Sequence, residues 1–286
     1  MEWVKFQTRV PGKWVLAGEH SVLKGAAAVA LPHPELGLSL VFDPYSSSES
    51  LAVNPPEANA ILNELLGSMG ETVKSQGLSL KQPQGRVQIE STIPVGAGLG
   101  SSAALCVALT QWVSSFLGLD GHKAIELATR LEDRFHGKSS GMDVAVISAR
   151  QPITYTMAHG IRPISVKQLP KFTFHDTGLR SSTRTCIERV EKFRHDLPQV
   201  AALVDSRMES ASQSAVEGLA AFDAGNRTQG LNLIADAMRN ARECFYSWEL
   251  VPGEAQRLEE SLLKQGALAV KITGAGGGGM VVALWD

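Results

Sequence analysis

Pro94-Val95-Gly96-Ala97-Gly98-Leu99-Gly100-Ser101-Ser102 links a strand-like run, residues 86–91, to an apolar run, residues 103–117. Glycines alternate at Gly96, Gly98 and Gly100, which lets the backbone turn tightly and aim its N–H groups at one place. The apolar run reads as a helix buried all round. Its first turn therefore offers unpaired N–H donors and partial positive charge to an anion. Ser101 and Ser102 add hydroxyls able to meet phosphate oxygen or Mg2+. A tight turn with an N-cap serine accounts for one glycine and one serine, not for this whole set. No lysine precedes the serines, so this is not a Walker A loop. The segment reads as a phosphate-binding loop, with Gly96, Gly98, Leu99, Gly100, Ser101 and Ser102 as candidate cofactor contacts.

Two other glycine patterns lose on context. Gly274-Ala275-Gly276-Gly277-Gly278-Gly279 has dinucleotide-loop spacing, but a strand-like run follows where that motif needs a helix. Gly137-Lys138-Ser139-Ser140-Gly141 has the spacing of a hydrolase elbow, yet it follows a helix and not a strand.

Working outward, alternation and Gly/Pro punctuation place strands at 2–10, 13–17 and 36–42 and a short helix at 58–66. A hairpin is expected to pair 78–80 with 86–91 across Pro83-Gln84-Gly85. A helix over 121–136 follows, N-capped by Asp120, then a strand at 153–157. Past a boundary near 160–170, polar-patterned helices occupy 183–196, 199–224, 228–248 and 253–265. The chain closes as strand, glycine loop and strand over 267–285. The expected fold class is α+β, in two domains, 1–165 and 166–286.

Composition excludes more than it selects. The 286 residues carry 27 Lys+Arg against 29 Asp+Glu, and a net charge of −2 leaves no footprint for nucleic acid. With 44% hydrophobic and 20% charged residues the chain reads as globular. Cys106, Cys186 and Cys244 are too few and too far apart for a disulfide framework or a C-x-x-C metal site. The N-terminal residues 1–10, charged at Glu2, Lys5 and Arg9, hold no apolar signal core, the longest apolar run, 103–117, is too short and interrupted to cross a bilayer, and a cytoplasmic location is expected.

One carboxylate is out of place. On a helix over 121–136, Ala124, Ile125, Leu127, Ala128, Leu131 and Phe135 form one apolar arc, and Glu132 falls inside it. A buried carboxylate must be paired or bind a metal. Asp143 follows eleven residues later, at the expected start of another helix. An internal salt bridge and a helix-start charge would explain the two separately. Together, after a phosphate loop, they suit a metal ligand and a base for phosphoryl transfer.

The order of motifs resembles the GHMP small-molecule kinases over most of the chain. RVPGKWVLAGEHSV (9–22) looks like the family's P-G-K-x-x-L-x-G-E-H-x-V motif, PVGAGLGSSAA (94–104) like its phosphate loop, and KITGAGGGG (271–279) like its third motif. EDRFHGKSSGMD (132–143) and DTGLRSSTRT (176–185) are similar to the branch of the family that phosphorylates mevalonate. The resemblance implies a ribosomal S5 domain 2-like N-terminal domain and a ferredoxin-like C-terminal one. It implies ATP and Mg2+ as cofactors and mevalonate as acceptor. Carried over residue by residue, it makes Asp143 the base, with Lys13 holding that base ionised and neutralising charge on the γ-phosphoryl group. It makes Ser102 and Glu132 the Mg2+ ligands and sets Glu19, His20, Ser140 and Gly276 at the acceptor. Residues 238–251, MRNARECFYSWELV, depart from the Asn- and Leu-rich helix ending in L-G-V-S of many such kinases. An already phosphorylated acceptor, phosphomevalonate, would need cations, and Arg180, Arg184, Arg239 and Arg242 are its candidates. A different small alcohol, or a non-catalytic nucleotide sensor on the same fold, are the remaining alternatives. Neither nucleic acid nor membrane is an expected partner, and a homodimer is left open.

Overall fold

The computed structural model describes residues 3–45, 51–137 and 139–286. In chain order its elements are β1 (Phe6–Ala17), β2 (Ala28–Pro44), β3 (Ala52–Asn54), α1 (Asn59–Ser75), β4 (Gly85–Ser91), α2 (Ser101–Leu117), α3 (Gly121–His136), α4 (Met142–Ala149), β5 (Ile153–Thr156), β6 (Gly160–Pro163), β7 (Lys171–Asp176), α5 (Thr183–Asp196), α6 (Pro198–Asp223), α7 (Arg227–Ser247), α8 (Gly253–Lys264), β8 (Ala269–Thr273) and β9 (Met280–Trp285). Two short 3-10 turns, Ser21–Lys24 and Pro56–Ala58, lie among them. The chain forms two compact units. One contains residues 1–12, 33–94 and 101–148, the other residues 13–32, 95–100 and 149–286. Glu2 at the head of the first expected strand, and Lys138, lie outside the described residues.

In the first unit β4 runs antiparallel to the end of β2, from Leu38↔Ser91 to Pro44↔Gly85. Its other edge pairs in parallel with β3. The expected hairpin of 78–80 with 86–91 is therefore wrong: both edges of β4 are already taken, and 78–80 is not strand. The expected helix at 58–66 extends to Ser75, through Gly67 and Gly70. Burial of Leu62, Leu65, Leu66, Met69 and Val73 along one face offsets the glycine penalty. Asp120 caps α3 as expected, accepting from Lys123 N–H at 2.9 Å. Trp3 stacks on Phe116 at 4.3 Å, and Phe42 packs on Trp112 at 4.8 Å.

In the second unit the start of β2 pairs with β5, which pairs with β6. A separate antiparallel sheet has the order β7-β9-β8. Helices α6 and α7 pack together, and α7 and α8 lie against β8. The buried face of α7 holds Leu231, Ile234, Ala235, Met238, Ala241 and Phe245, at the spacing of an amphipathic helix. The cysteines are free and buried. No helix among the described residues is long and apolar enough to cross a membrane.

Candidate active site

The second unit holds the glycine loop. Gly96, Gly98 and Gly100 all have positive φ, 72°, 79° and 74°, so the backbone is turned as an anion-binding nest requires. The loop is braced from below by the 274–279 turn. A Cβ on Gly98 would lie 2.7 Å from the Thr273 carbonyl oxygen, and one on Gly279 would lie 2.6 Å from that of Ala97. Two glycine turns can approach this closely only because neither carries side chains there. Arg180 steadies the loop's start, donating from Nε to the Val95 carbonyl at 3.1 Å while Asp176 holds its guanidinium with two bonds of 2.7 Å.

Lys13, on β1, is buried, and its N–H donates to the Leu99 carbonyl at 2.9 Å. This bond ties the strand that carries the lysine to the loop. Two residues on, Val15 exchanges hydrogen bonds with the Thr273 hydroxyl, which accepts at 2.8 Å and donates at 3.1 Å. Past the end of the strand at Ala17 the turn carries Glu19 and His20, 3% and 6% exposed. Glu19 Oε1 accepts from Lys271 Nζ at 2.5 Å, and the same ammonium donates to the Val15 carbonyl at 3.1 Å. Burial pushes the Glu19 carboxyl up and the Lys271 ammonium down, each partly held back by the other's charge. His20 sits at φ 58°, a backbone strain that sites of function tend to hold. Burial lowers its pKa to about 4, so the ring is neutral at pH 7. Its Nε2 lies 2.9 Å from the Ala275 carbonyl and must be the protonated nitrogen, which leaves Nδ1 as an acceptor. Trp248 and Phe245 stand edge-on to the ring, at centroid distances of 5.1 Å and 6.1 Å. Gly276 is packed under them: a Cβ there would lie 2.8 Å from Leu250 Cβ and 3.0 Å from Phe245.

The first unit holds the acids and serines. Ser101 and Ser102 open α2, where the helix dipole is positive at its N-terminus. Glu132, on the packed helix α3, is 2% exposed, as its place in the apolar arc implies. Its charge raises the thiol pKa of Cys106, one helical turn beyond Ser102, after the larger effect of burial. The carboxylate therefore lies within electrostatic reach of Cys106 on α2. Its Oε2 accepts from Ser139 Oγ at 2.7 Å. Ser139 also takes the Gly141 N–H at 3.1 Å, and Ser140 Oγ the Met142 N–H at 3.3 Å. These turns start α4, whose first turn carries Asp143. Among the described residues no cluster of three or more His, Cys, Asp or Glu side chains is gathered for a metal. Mg2+ on a nucleotide needs no such cage, because phosphates and water supply most of its ligands. A buried carboxylate, Glu132, and a hydroxyl at a helix start, Ser102, are the hard oxygen donors such an ion takes.

Lys271 and Thr273 were not singled out from sequence, although both lie at the third motif. Each is 1% exposed inside an apolar strand, a burial that the short run gives no means to read from sequence. All four arginines offered for an extra phosphate have carboxylate partners: Arg180 with Asp176, Arg184 with Glu188, Arg239 with Asp236 and Arg242 with Glu259.

Known proteins share this construction. Residues 61–150 match the family model described as GHMP kinases N terminal domain, and residues 217–286 match GHMP kinases C terminal. The mevalonate kinase of Thermococcus sibiricus is 29% identical over 295 residues, covering 96% of this chain and 87% of that one. The crystal structure of L. major mevalonate kinase in complex with R-mevalonate aligns with a TM-score of 0.77 at 22% identity, covering 98% of this chain and 86% of that one. Lactococcus lactis galactokinase complexed with galactose aligns with a TM-score of 0.76 at 16% identity, covering 98% and 85%. The fold is thus common to kinases of different acceptors and does not choose among them. With both of its domain models matched in order, the chain belongs to the GHMP kinase family.

Proposed function

We propose that the protein transfers the γ-phosphoryl group of Mg2+-bound ATP to the primary hydroxyl of mevalonate. The observation that carries the reading is the glycine nest, turned by the positive φ of Gly96, Gly98 and Gly100 and braced by the 274–279 turn. Relatives named mevalonate kinase align over nearly the whole chain and supply the acceptor. Backbone N–H groups of Gly98 to Ser101 hold the phosphates, and Gly96 and Leu99 shape the loop. Ser102 and Glu132 hold Mg2+, which when bound neutralises charge on the phosphates. Lys13 adds positive charge at the γ-phosphoryl group. Asp143 accepts the hydroxyl proton as the oxygen attacks in line. Glu19, neutral His20, Ser140 and the tightly packed Gly276 turn shape the acceptor end.

Mevalonate carries no phosphate to anchor. The carboxylate partners of Arg180, Arg184, Arg239 and Arg242 favour that acceptor over a phosphorylated one. The test is mevalonate-dependent ADP release in the presence of Mg2+. The wild-type protein turns over, and Asp143→Asn lowers kcat by ~10²–10⁴ with ATP affinity nearly unchanged. A variant within about threefold of wild type would remove Asp143 from the chemistry.

A further inference from the structure

The Lys271–Glu19 pair continues into a second buried carboxylate on α8. Glu259 is fully buried. Its Oε2 accepts from Arg242 Nε at 2.7 Å and from the Tyr246 hydroxyl at 2.9 Å, and Arg242 Nη2 closes the triangle on the Tyr246 oxygen at 3.0 Å. The Arg242 guanidinium also lies over the Tyr246 ring, 4.5 Å from its centroid. The other carboxylate oxygen, Oε1, is buried with no hydrogen-bond partner among the described residues. Its charge is felt through space, and Lys271 feels it: Glu259 favours the ammonium, and the ammonium favours the carboxylate. Lys271 Nζ stands 5.4 Å from the Phe245 ring centroid, one helical position from Tyr246. Glu19, Lys271, Glu259 and Arg242 thus alternate in sign from the acceptor end of the second unit to the partly exposed face of α7. The α7 members fall in residues 238–251, the segment that departs from the family pattern.

We propose that Glu259 is a positioning residue for the acceptor. Held by Arg242 and Tyr246, it counterbalances the Lys271 ammonium, which in turn fixes the Glu19 carboxylate where the acceptor is bound. This rests on the reading of Glu19 as an acceptor contact. The groups acting on Lys271 are Glu19 from the β1 end and Glu259 from α8, which favour its charge, and Lys13 on β1, which opposes it. Burial already pushes the ammonium down. Loss of the Glu259 charge pushes it further, so Lys271 gives up its proton at lower pH and releases Glu19.

The experiment measures Glu259→Gln in the wild-type and Glu19→Gln backgrounds, with mevalonate as acceptor. In the wild-type background the KM for mevalonate rises about 3–10-fold, and the KM for ATP stays within about twofold. The alkaline limb of kcat/KM moves to lower pH. In the Glu19→Gln background the same substitution changes the mevalonate KM by less than about 1.5-fold, because its route is already cut. Tyr246→Phe keeps the charge and loses one hydrogen bond. It shows a smaller rise of about twofold with the same non-additivity, and it decides the matter if Glu259→Gln does not fold. A lowered melting temperature with unchanged mevalonate KM, or equal KM changes in both backgrounds, overturns the proposal and leaves the reading of function intact. A wild-type protein that does not phosphorylate mevalonate overturns that reading, and this proposal with it.

Discussion

His20 is held neutral in a buried, strained turn, and this has a consequence for stability. Its pKa of about 4 in the folded chain lies below the ordinary 6.5 of the unfolded one. At high pH both states are neutral and the group contributes nothing. As pH falls from 6.5 toward 4 the unfolded chain takes a proton that the folded chain refuses, so stability is lost across that window. The full difference is worth about 3 kcal/mol. The raised Glu19 carboxyl works in the opposite direction. Denaturation midpoints of wild type and His20→Gln, compared from pH 7.5 to 4.5, isolate the histidine: the wild type loses more stability on acidification. Parallel curves would show that His20 takes its proton as readily in the folded chain as in the unfolded one. At this scale much was legible. Glu132 stood out because a carboxylate in an apolar arc has to be explained, and it is buried. Lys271 did not, because a lone lysine in a short strand gives no sign from sequence that both its neighbouring carboxylates are buried.

Elements were legible where periodicity ran uninterrupted and lost where pairing overrode local signals. Helices α2, α3, α5, α6, α7 and α8 fall close to their expected spans. Strand β2 runs 17 residues through Pro32 and Pro34, where only 36–42 was expected as strand. The prolines lie between the stretch paired to β5, 28–30, and the stretch paired to β4, 38–44, so their missing N–H groups disrupt neither ladder. Likewise β1 is one strand across Pro11-Gly12, not two. The glycine nest was readable as a loop, but its brace was not, because the 274–279 turn is remote in sequence. That brace predicts different costs at neighbouring glycines. Gly98→Ala sets a methyl 2.7 Å from a backbone oxygen, whereas at Gly96 the nearest atom is the flexible Arg180 side chain at 3.4 Å. Both carry positive φ. Thermal melts and ATP titrations of the two variants should show Gly98→Ala the worse in each, with a stability loss of about 1–3 kcal/mol and weakened ATP binding. Equal effects would mean that backbone strain alone governs the loop and that the brace is not rigid.

At the scale of the whole molecule, fold and acceptor separate. The matched domains establish a GHMP kinase, and the same fold is found in kinases of a sugar and of mevalonate. On the proposed reading the acceptor rests instead on side chains of the second unit: Glu19 and neutral His20, and arginines that already have carboxylate partners. Such a site rejects an acceptor whose charge it cannot pair, since a desolvated phosphate without a cation is costly. The most direct measurement is a competition in one vessel, with Mg2+-ATP limiting and mevalonate, phosphomevalonate and galactose present at equal concentration. Products are followed by phosphorus NMR. The account predicts that the first-formed product is the phosphomonoester of mevalonate, at least ~10²-fold ahead of galactose phosphate, with phosphomevalonate left unconsumed. A diphosphate signal growing from phosphomevalonate ahead of the monoester, or galactose phosphate formed at a comparable rate, would contradict it.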